Sequence, residues 1–172
     1  MKALWKLTYG LFRFEATPIS EAVRNYCVKK LVKSCGKRLV VQRGVMIRGW
    51  ENIEIGEDVN LNDGVYINGM GKLKIGNGCR IAPNVGIYTE THNIDRRDIP
   101  FHKQGWSYSP IIIEDDVWIC AGAIITMGVK IGKGAVVGAN CVVTKDIGEY
   151  EIWGGVPAKF IKMRKGGKND DV

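Results

Sequence analysis

Aliphatic residues recur at every sixth position along one stretch of the chain: Ile113, Ile119, Ile125, Ile131, Val137 and Val143. Six is a multiple of two and not of 3.6, so these side chains share one face of extended chain, whereas in a helix they would spiral around it. The pattern predicts strands. The fifth position of each hexad is small or mostly β-branched, at Val117, Ala123, Val129, Ala135, Cys141 and Ile147, and the second is glycine at Gly132 and Gly138. Short side chains suit a tight corner, and glycine is expected to supply the dihedrals that corners often require. Each hexad then reads as one strand and one turn.

Earlier rungs keep the period less strictly: Val41 and Ile47, then Ile55, Leu61 and Ile67, then Ile75, Ile81 and Ile87, with two-residue slips near Ile53 and Leu73. Six residues cannot hold a crossover helix, so a parallel sheet built from such units must wind as a coil, its strands about 4.8 Å apart. One unit cannot bury its own apolar face, but stacked neighbours can. The repeat covers most of residues 39–148 and predicts an all-β solenoid.

The ends follow other rules. Residues 18–34 predict a helix, with Thr17 to cap it, Pro18 in the first turn and Gly36 as a stop. Ile19, Ala22, Val23, Tyr26, Cys27 and Leu31 form an apolar stripe at helical spacing, expected to pack on one end of the solenoid. Before it, Lys2 to Phe14 mixes Leu4, Trp5, Leu7, Tyr9, Leu11, Phe12 and Phe14 with Lys2, Lys6 and Arg13. Such a segment reads as a peripheral membrane contact or as a cap or subunit contact, and the general burial of apolar patches favours the second. The expected organisation is an N-terminal helical segment over 1–36, a solenoid domain over 37–163 and a flexible tail over 164–172.

Composition narrows the class without naming a reaction. A hydrophobic fraction of 45% with 25% charged residues is ordinary for one soluble domain of 172 residues. The net charge of +7 suits coenzyme phosphates, an anionic membrane surface or nucleic acid, but no nucleic-acid motif accompanies it, so nucleic acid is not expected as a partner. Five cysteines without a C-x-x-C pair predict a reducing, cytoplasmic setting, peripheral to the inner face of a membrane if residues 2–14 act as a contact. Cys79 and Cys141 fall at the small fifth position and are expected to fill the core.

The repeat breaks once. After Ile87 the chain runs through Tyr88, Thr89, Glu90, Thr91, His92, Asn93, Ile94 and Asp95 and continues as an extended loop, 88–112, expected to be irregular as far as Pro110. A long excursion from a regular scaffold is more often functional than accidental. Both histidines, His92 and His102, lie in it. A hydroxyl nucleophile needs a base to take its proton, and imidazole, with a pKa near ~6.5, is matched to that work. Two histidines ten residues apart do not readily supply the three-histidine set of a zinc enzyme, so no metal is expected.

Several segments together resemble the hexapeptide-repeat acyltransferases, and within them the galactoside and maltose O-acetyltransferase group. These are Ile81-Ala82-Pro83-Asn84-Val85 leading to Thr91-His92, then Asp116-Val117-Trp118-Ile119, Val143-Thr144-Lys145-Asp146 and Gly155-Val156-Pro157-Ala158-Lys159. The resemblance implies a left-handed parallel β-helix with three hexads per coil, acetyl-CoA as co-substrate, a sugar or saccharide acceptor, and a homotrimer with active sites between subunits. It implies His92 as catalytic base, assisting direct attack of the acceptor hydroxyl on the thioester. It assigns Asn62 to the acceptor and places Trp118 beside the active-site tunnel. The Ala121 amide is implied at the oxyanion or the pantetheine arm, and Ala139, Thr144, Lys145, Lys159 and Lys162 at the coenzyme. Where the galactoside-type enzymes carry acceptor-contacting Ser and Asp, this chain has Arg48 and Met70, so the acceptor stays open, and Arg48 is expected to admit an acidic or phosphorylated sugar. An amino-sugar N-acetyltransferase and a non-catalytic scaffold remain as alternatives.

Overall fold

A computed structural model of the chain describes residues 1–166. Two helices, α1 (Lys2–Phe12) and α2 (Pro18–Leu31), precede a parallel β-solenoid whose strands fall into three sheets. Face one holds Ser34–Cys35, Ile53–Ile55, Leu73–Ile75, Ile111–Ile113 and Lys130–Ile131. Face two holds Val40–Val41, Asn60–Leu61, Arg80–Ile81, Trp118–Ile119, Val136–Val137 and Glu151–Gly154, with Lys159–Met163 added antiparallel at its edge. Face three holds Met46–Arg48, Tyr66–Asn68, Gly86–Tyr88, Ile124–Ile125 and Val142–Val143. The chain visits the faces in that order, so each coil is three-sided and contains three hexads.

Strand register confirms the six-residue reading. Ile113 lies beside Ile131, Ile119 beside Val137 and Ile125 beside Val143, each pair 18 residues or three hexads apart. Earlier coils take 20 residues, as in Val41 beside Leu61 and Ile47 beside Ile67. The added residues sit where the slips were expected, at the corner from face three to face one, where Trp50–Asn52 forms a short 3-10 turn. All the stacked aliphatics are buried, each contributing roughly 1.5–3 kcal/mol. Cys79 and Cys141 are buried within the same core, as their position predicts.

The corners correct one expectation. Gly132 is required for room, since a Cβ there would lie 2.7 Å from the backbone of Gly148 and Glu149. The left-handed dihedral falls instead at the fourth position of the hexad, at Asp116, Gly122, Gly128, Gly134 and Asn140. Asn and Asp tolerate that region better than other side chains, which is why those turns need not all be glycine.

The N-terminal helices also differ from the stripe read off the sequence. Thr17 caps α2 as expected, its hydroxyl accepting from the Ser20 N–H at 3.1 Å. The buried face, however, is Ser20, Arg24, Cys27, Val28 and Leu31, while Ile19 and Tyr26 are exposed. Arg24 decides the orientation: its guanidinium donates to the carbonyls of Val41 (2.9 Å), Phe12 (2.9 Å) and Glu15 (2.7 Å). A buried guanidinium without acceptors would cost more than exposing two apolar side chains. Ser34–Cys35 already pairs with Glu54–Ile55, so the first coil begins inside the segment assigned to helix. α1 seals the first coil through Tyr9, whose hydroxyl donates to Val45 O at 2.8 Å and whose ring meets Trp50 edge-on. At the other end Arg164, expected to fray, donates to Asp116 at 2.8 Å. Residues 167–172 of the expected tail lie outside the described residues.

Candidate active site

The chain leaves the solenoid after Gly86–Tyr88 of face three and re-enters at Ile111, which pairs with Leu73 on face one. The excursion is not irregular. Glu90–His92 and Trp106–Tyr108 form an antiparallel hairpin in which Glu90 faces Tyr108, Thr91 faces Ser107 and His92 faces Trp106. Its base is tied to the coil by the buried Thr89, whose hydroxyl donates to Asn68 O at 2.8 Å and accepts from the Gly71 N–H at 2.7 Å. Its far end is braced by Asn93, which accepts from the Ser107 hydroxyl at 2.5 Å and donates to Gln104 O at 3.0 Å.

This bracing fixes His92. Its ring lies against that of Trp106, with centroids 3.5 Å apart and planes at 33°, and Phe101 meets it edge-on at 5.7 Å. Nδ1 is buried and has no partner among the described residues. Neither neighbouring carboxylate holds it: Glu90 accepts from the Asn68 amide at 2.5 Å, and Asp95 is exposed. His102 sits exposed on the 3-10 turn Phe101–Lys103.

Beside the hairpin is a cleft of ≈ 480 Å³, lined by Tyr88, Glu90, Thr91, Thr126 and Met127. Arg48, Asn68 and Tyr88 stand in register on three successive strands of face three, so Arg48 shares the surface from which the hairpin springs. The Tyr66 hydroxyl, by hydrogen bonding, and to a lesser degree the Glu90 carboxylate hold the Arg48 guanidinium above its ordinary pKa. Met70 is exposed at the following corner, its N–H donating to Asn68 Oδ1 at 3.3 Å. Thr144 and Lys145, both exposed, stand one coil beyond Thr126 on the same corner.

The remaining sequence candidates lie elsewhere on the chain. Trp118 points outward from face two, in register with Arg80 and Val136, and is 52% exposed. Asn62 occupies the corner between faces two and three, its amide donating to Ile81 O of the next coil at 3.0 Å. Ala121 and Ala139 share that corner on later coils, and Ala121 O accepts from the Asn140 N–H at 2.9 Å. Lys159 and Lys162 are exposed on the last strand of face two. The candidates therefore form two groups, one around the hairpin corner and one around face two and its junction with face three.

Trp106 and Asn68 are absent from the sequence reading. Trp106 reaches His92 only through hairpin register, for which the alternation Trp106-Ser107-Tyr108 against Glu90-Thr91-His92 was the available signal. Asn68 gave none beyond being polar at a strand end. All five cysteines are free, and burial pushes the thiols of Cys27, Cys35, Cys79 and Cys120 up, which disfavours a nucleophilic thiolate at each. Among the described residues no group of three or more His, Cys, Asp or Glu is placed to hold a metal ion.

Comparison with known proteins bears on this geometry. Residues 110–145 match the family model described as hexapeptide repeat of succinyl-transferase. The galactoside O-acetyltransferase of Escherichia coli is 33% identical over 140 residues, covering 81% of this chain and 68% of that protein. The crystal structure of a maltose O-acetyltransferase from Clostridium difficile superposes with a TM-score of 0.86 at 33% identity, covering 96% of this chain and 87% of that one. A hexapeptide-repeat-containing acetyltransferase of Vibrio cholerae, solved with acetyl coenzyme A, gives a TM-score of 0.85 at 28% identity, covering 96% and 87%.

Proposed function

This chain belongs to the hexapeptide-repeat acetyltransferases, and from that premise we propose that it transfers an acetyl group from acetyl-CoA to a hydroxyl of a sugar or saccharide precursor, with His92 as general base. The observation that carries the reading is the placement of His92, clamped against Trp106 on the braced hairpin whose Glu90 and Thr91 line the cleft. With Nδ1 buried, Nε2 is the nitrogen a substrate would meet. The acceptor oxygen attacks the thioester carbonyl while His92 takes its proton. The tetrahedral intermediate then collapses, the C–S bond breaks, and the imidazolium returns the proton to the departing coenzyme thiolate. No acyl-enzyme is needed, in keeping with thiols whose pKa values are raised by burial.

Backbone N–H groups suit the developing oxyanion, and the Ala121 amide is the one we assign to it or to the pantetheine arm. Lys145, Lys159 and Lys162 supply point charges for coenzyme phosphates, with Ala139 and Thr144 lining the arm. In one chain these residues and Trp118 are divided between two edges. We infer a homotrimer in which the hairpin corner of one chain faces the second edge of its neighbour, so that each site draws on two chains. Arg48, beside the cleft, selects an acceptor carrying carboxylate or phosphate.

The test is acetyl transfer to a panel of neutral, anionic and amino sugars, with the product identified by mass and by lability to mild base. An alkali-labile ester is expected, and an alkali-stable amide would replace the hydroxyl acceptor with an amine. His92→Ala should lower kcat by at least ~100-fold, the scale of a lost general base. Near-normal turnover in that variant removes His92 from the mechanism.

A further inference from the structure

The net charge of the chain is confined to one end. Residues 1–38 carry nine Lys and Arg against Glu15 and Glu21, a net of +7, whereas residues 39–172 carry sixteen basic and sixteen acidic residues and are neutral. That basic segment is α1, α2 and the first strand of face one, the cap on one end of the solenoid. Arg24 is used internally, and Lys33 and Arg38 are ion-paired with Glu54 and Glu57. Lys2, Lys6, Lys29, Lys30 and Lys37 are exposed without an ion-pair partner among the described residues.

The same end exposes an apolar stripe. Leu4, Leu7, Leu11 and Phe14 recur at helical spacing and are 59%, 63%, 69% and 66% exposed. Leu4, Leu7 and Leu11 stand on the side of α1 away from Trp5 and Tyr9, which pack on Tyr26 and Trp50, and Phe14 follows just beyond its C-terminal end. Lys2, Lys6 and Arg13, at their own helical spacing, form a basic edge, and α1 contains no acidic residue. With 11 residues the helix is about 16 Å long, far short of the ~30 Å hydrocarbon core, so it can lie in a bilayer surface but not cross it.

We propose that α1 docks this end of the protein on an anionic lipid surface. Leu4, Leu7, Leu11 and Phe14 enter the boundary between headgroups and acyl chains, and Lys2, Lys6 and Arg13 meet lipid phosphates. Charge decides against a second copy of the chain as the occupant, because self-association through this end would bring together two surfaces that each present Lys2, Lys6 and Arg13 and no acidic residue of α1. A bilayer has the opposite charge and accepts an apolar stripe without a complementary shape. The face that docks is separate from the His92 hairpin, which projects from a later coil.

The experiment is flotation of the full chain with vesicles of phosphatidylcholine alone or mixed with phosphatidylglycerol, at low and high salt. Binding is expected to the anionic vesicles, to weaken with salt, and to be absent on neutral ones. The double variant Leu7→Ser/Leu11→Ser should lose at least ~10-fold in partitioning, and Lys2→Gln/Lys6→Gln/Arg13→Gln about 100-fold at low salt. Lys2, Lys6, Leu7 and Leu11 are exposed and Arg13 is half-buried against the Phe14 ring, and circular dichroism and sedimentation mass should match the unsubstituted chain. The proposal is overturned by no binding to anionic vesicles, by equal binding to neutral ones, or by binding that survives the leucine substitutions. It is equally overturned if those substitutions lower the sedimentation mass, which would make the stripe a contact between copies.

Discussion

Replacing Ile131 with aspartate sets the stacked-coil core against the surface of the same sheet. Ile131 is fully buried, between Ile113 on the preceding coil and Ile147 on the next. Removing its side chain forfeits about 1.5–3 kcal/mol of apolar burial. A carboxyl in that site must either ionise without a partner or stay protonated at neutral pH. A pKa raised by three units corresponds to about 4 kcal/mol. The sum, about 6 kcal/mol, is comparable with the whole stability of an ordinary domain, about 5–15 kcal/mol. Because coils contact only their neighbours, the loss should fall first on the last coils, from Ile113 onward.

Ile112 is the control. It sits beside Ile113 on the same strand but points outward, 38% exposed and flanked across the sheet by Lys74 and Lys130. Aspartate there would lie between two cations, and a cross-strand pair of opposite charge contributes about 0.2–1 kcal/mol, which offsets much of the lost apolar contact. Urea unfolding followed by far-ultraviolet circular dichroism should show Ile131→Asp with the final coils unfolded in buffer, and Ile112→Asp within about 1 kcal/mol of the original chain. Equal shifts for the two, or an unmoved midpoint for Ile131→Asp, would refute the inward and outward assignment.

Two further outcomes test other parts of the structure. Trp106→Ala should lower kcat about 10-fold through a loosened His92, with a small change in melting temperature because Trp106 is 46% exposed; steady-state kinetics with unchanged kcat would show that the stack does not position the base. Burial pushes the Cys79 thiol up from 9.0 to about 11, so the folded chain holds that proton more tightly than the unfolded one. The stability this contributes is complete below the unfolded pKa of 9.0 and lost as pH rises toward about 11, a fall of about 3 kcal/mol. Subtracting the pH profile of Cys79→Ala should isolate it, and a flat difference between the two profiles would place Cys79 in contact with water.

The six-residue period was legible because it is local. Alternation decides which side chains face inward, and a constant repeat then brings Ile113 beside Ile131 without any further information. The slips were legible for the same reason, as interruptions of that repeat. The stripe on α2 was misread because spacing registers where apolar residues fall but not where a buried guanidinium finds acceptors. The carbonyls of Phe12, Glu15 and Val41 that receive Arg24 come from outside the helix, and their convergence is a property of the packed chain.

The candidate site divides along the same line. In the sequence, the interruption of the repeat and the chemistry of imidazole at neutral pH pointed to His92 and His102, and the resemblance carried by Thr91-His92 chose between them. The sequence could not place Trp106 against His92, because antiparallel register depends on how two strands meet, and residues 93–105 between them carry no period that fixes it. Nor could it set Arg48, Asn68 and Tyr88 in a row, since they stand on separate coils, or show that Trp118 and Ala121 occupy another edge from His92. The sequence by itself determined the solenoid and its inward side chains, because both follow from a short periodic pattern. Only the tertiary structure decided which outward side chains share a site, because that depends on contacts between coils and across the hairpin that no local period encodes.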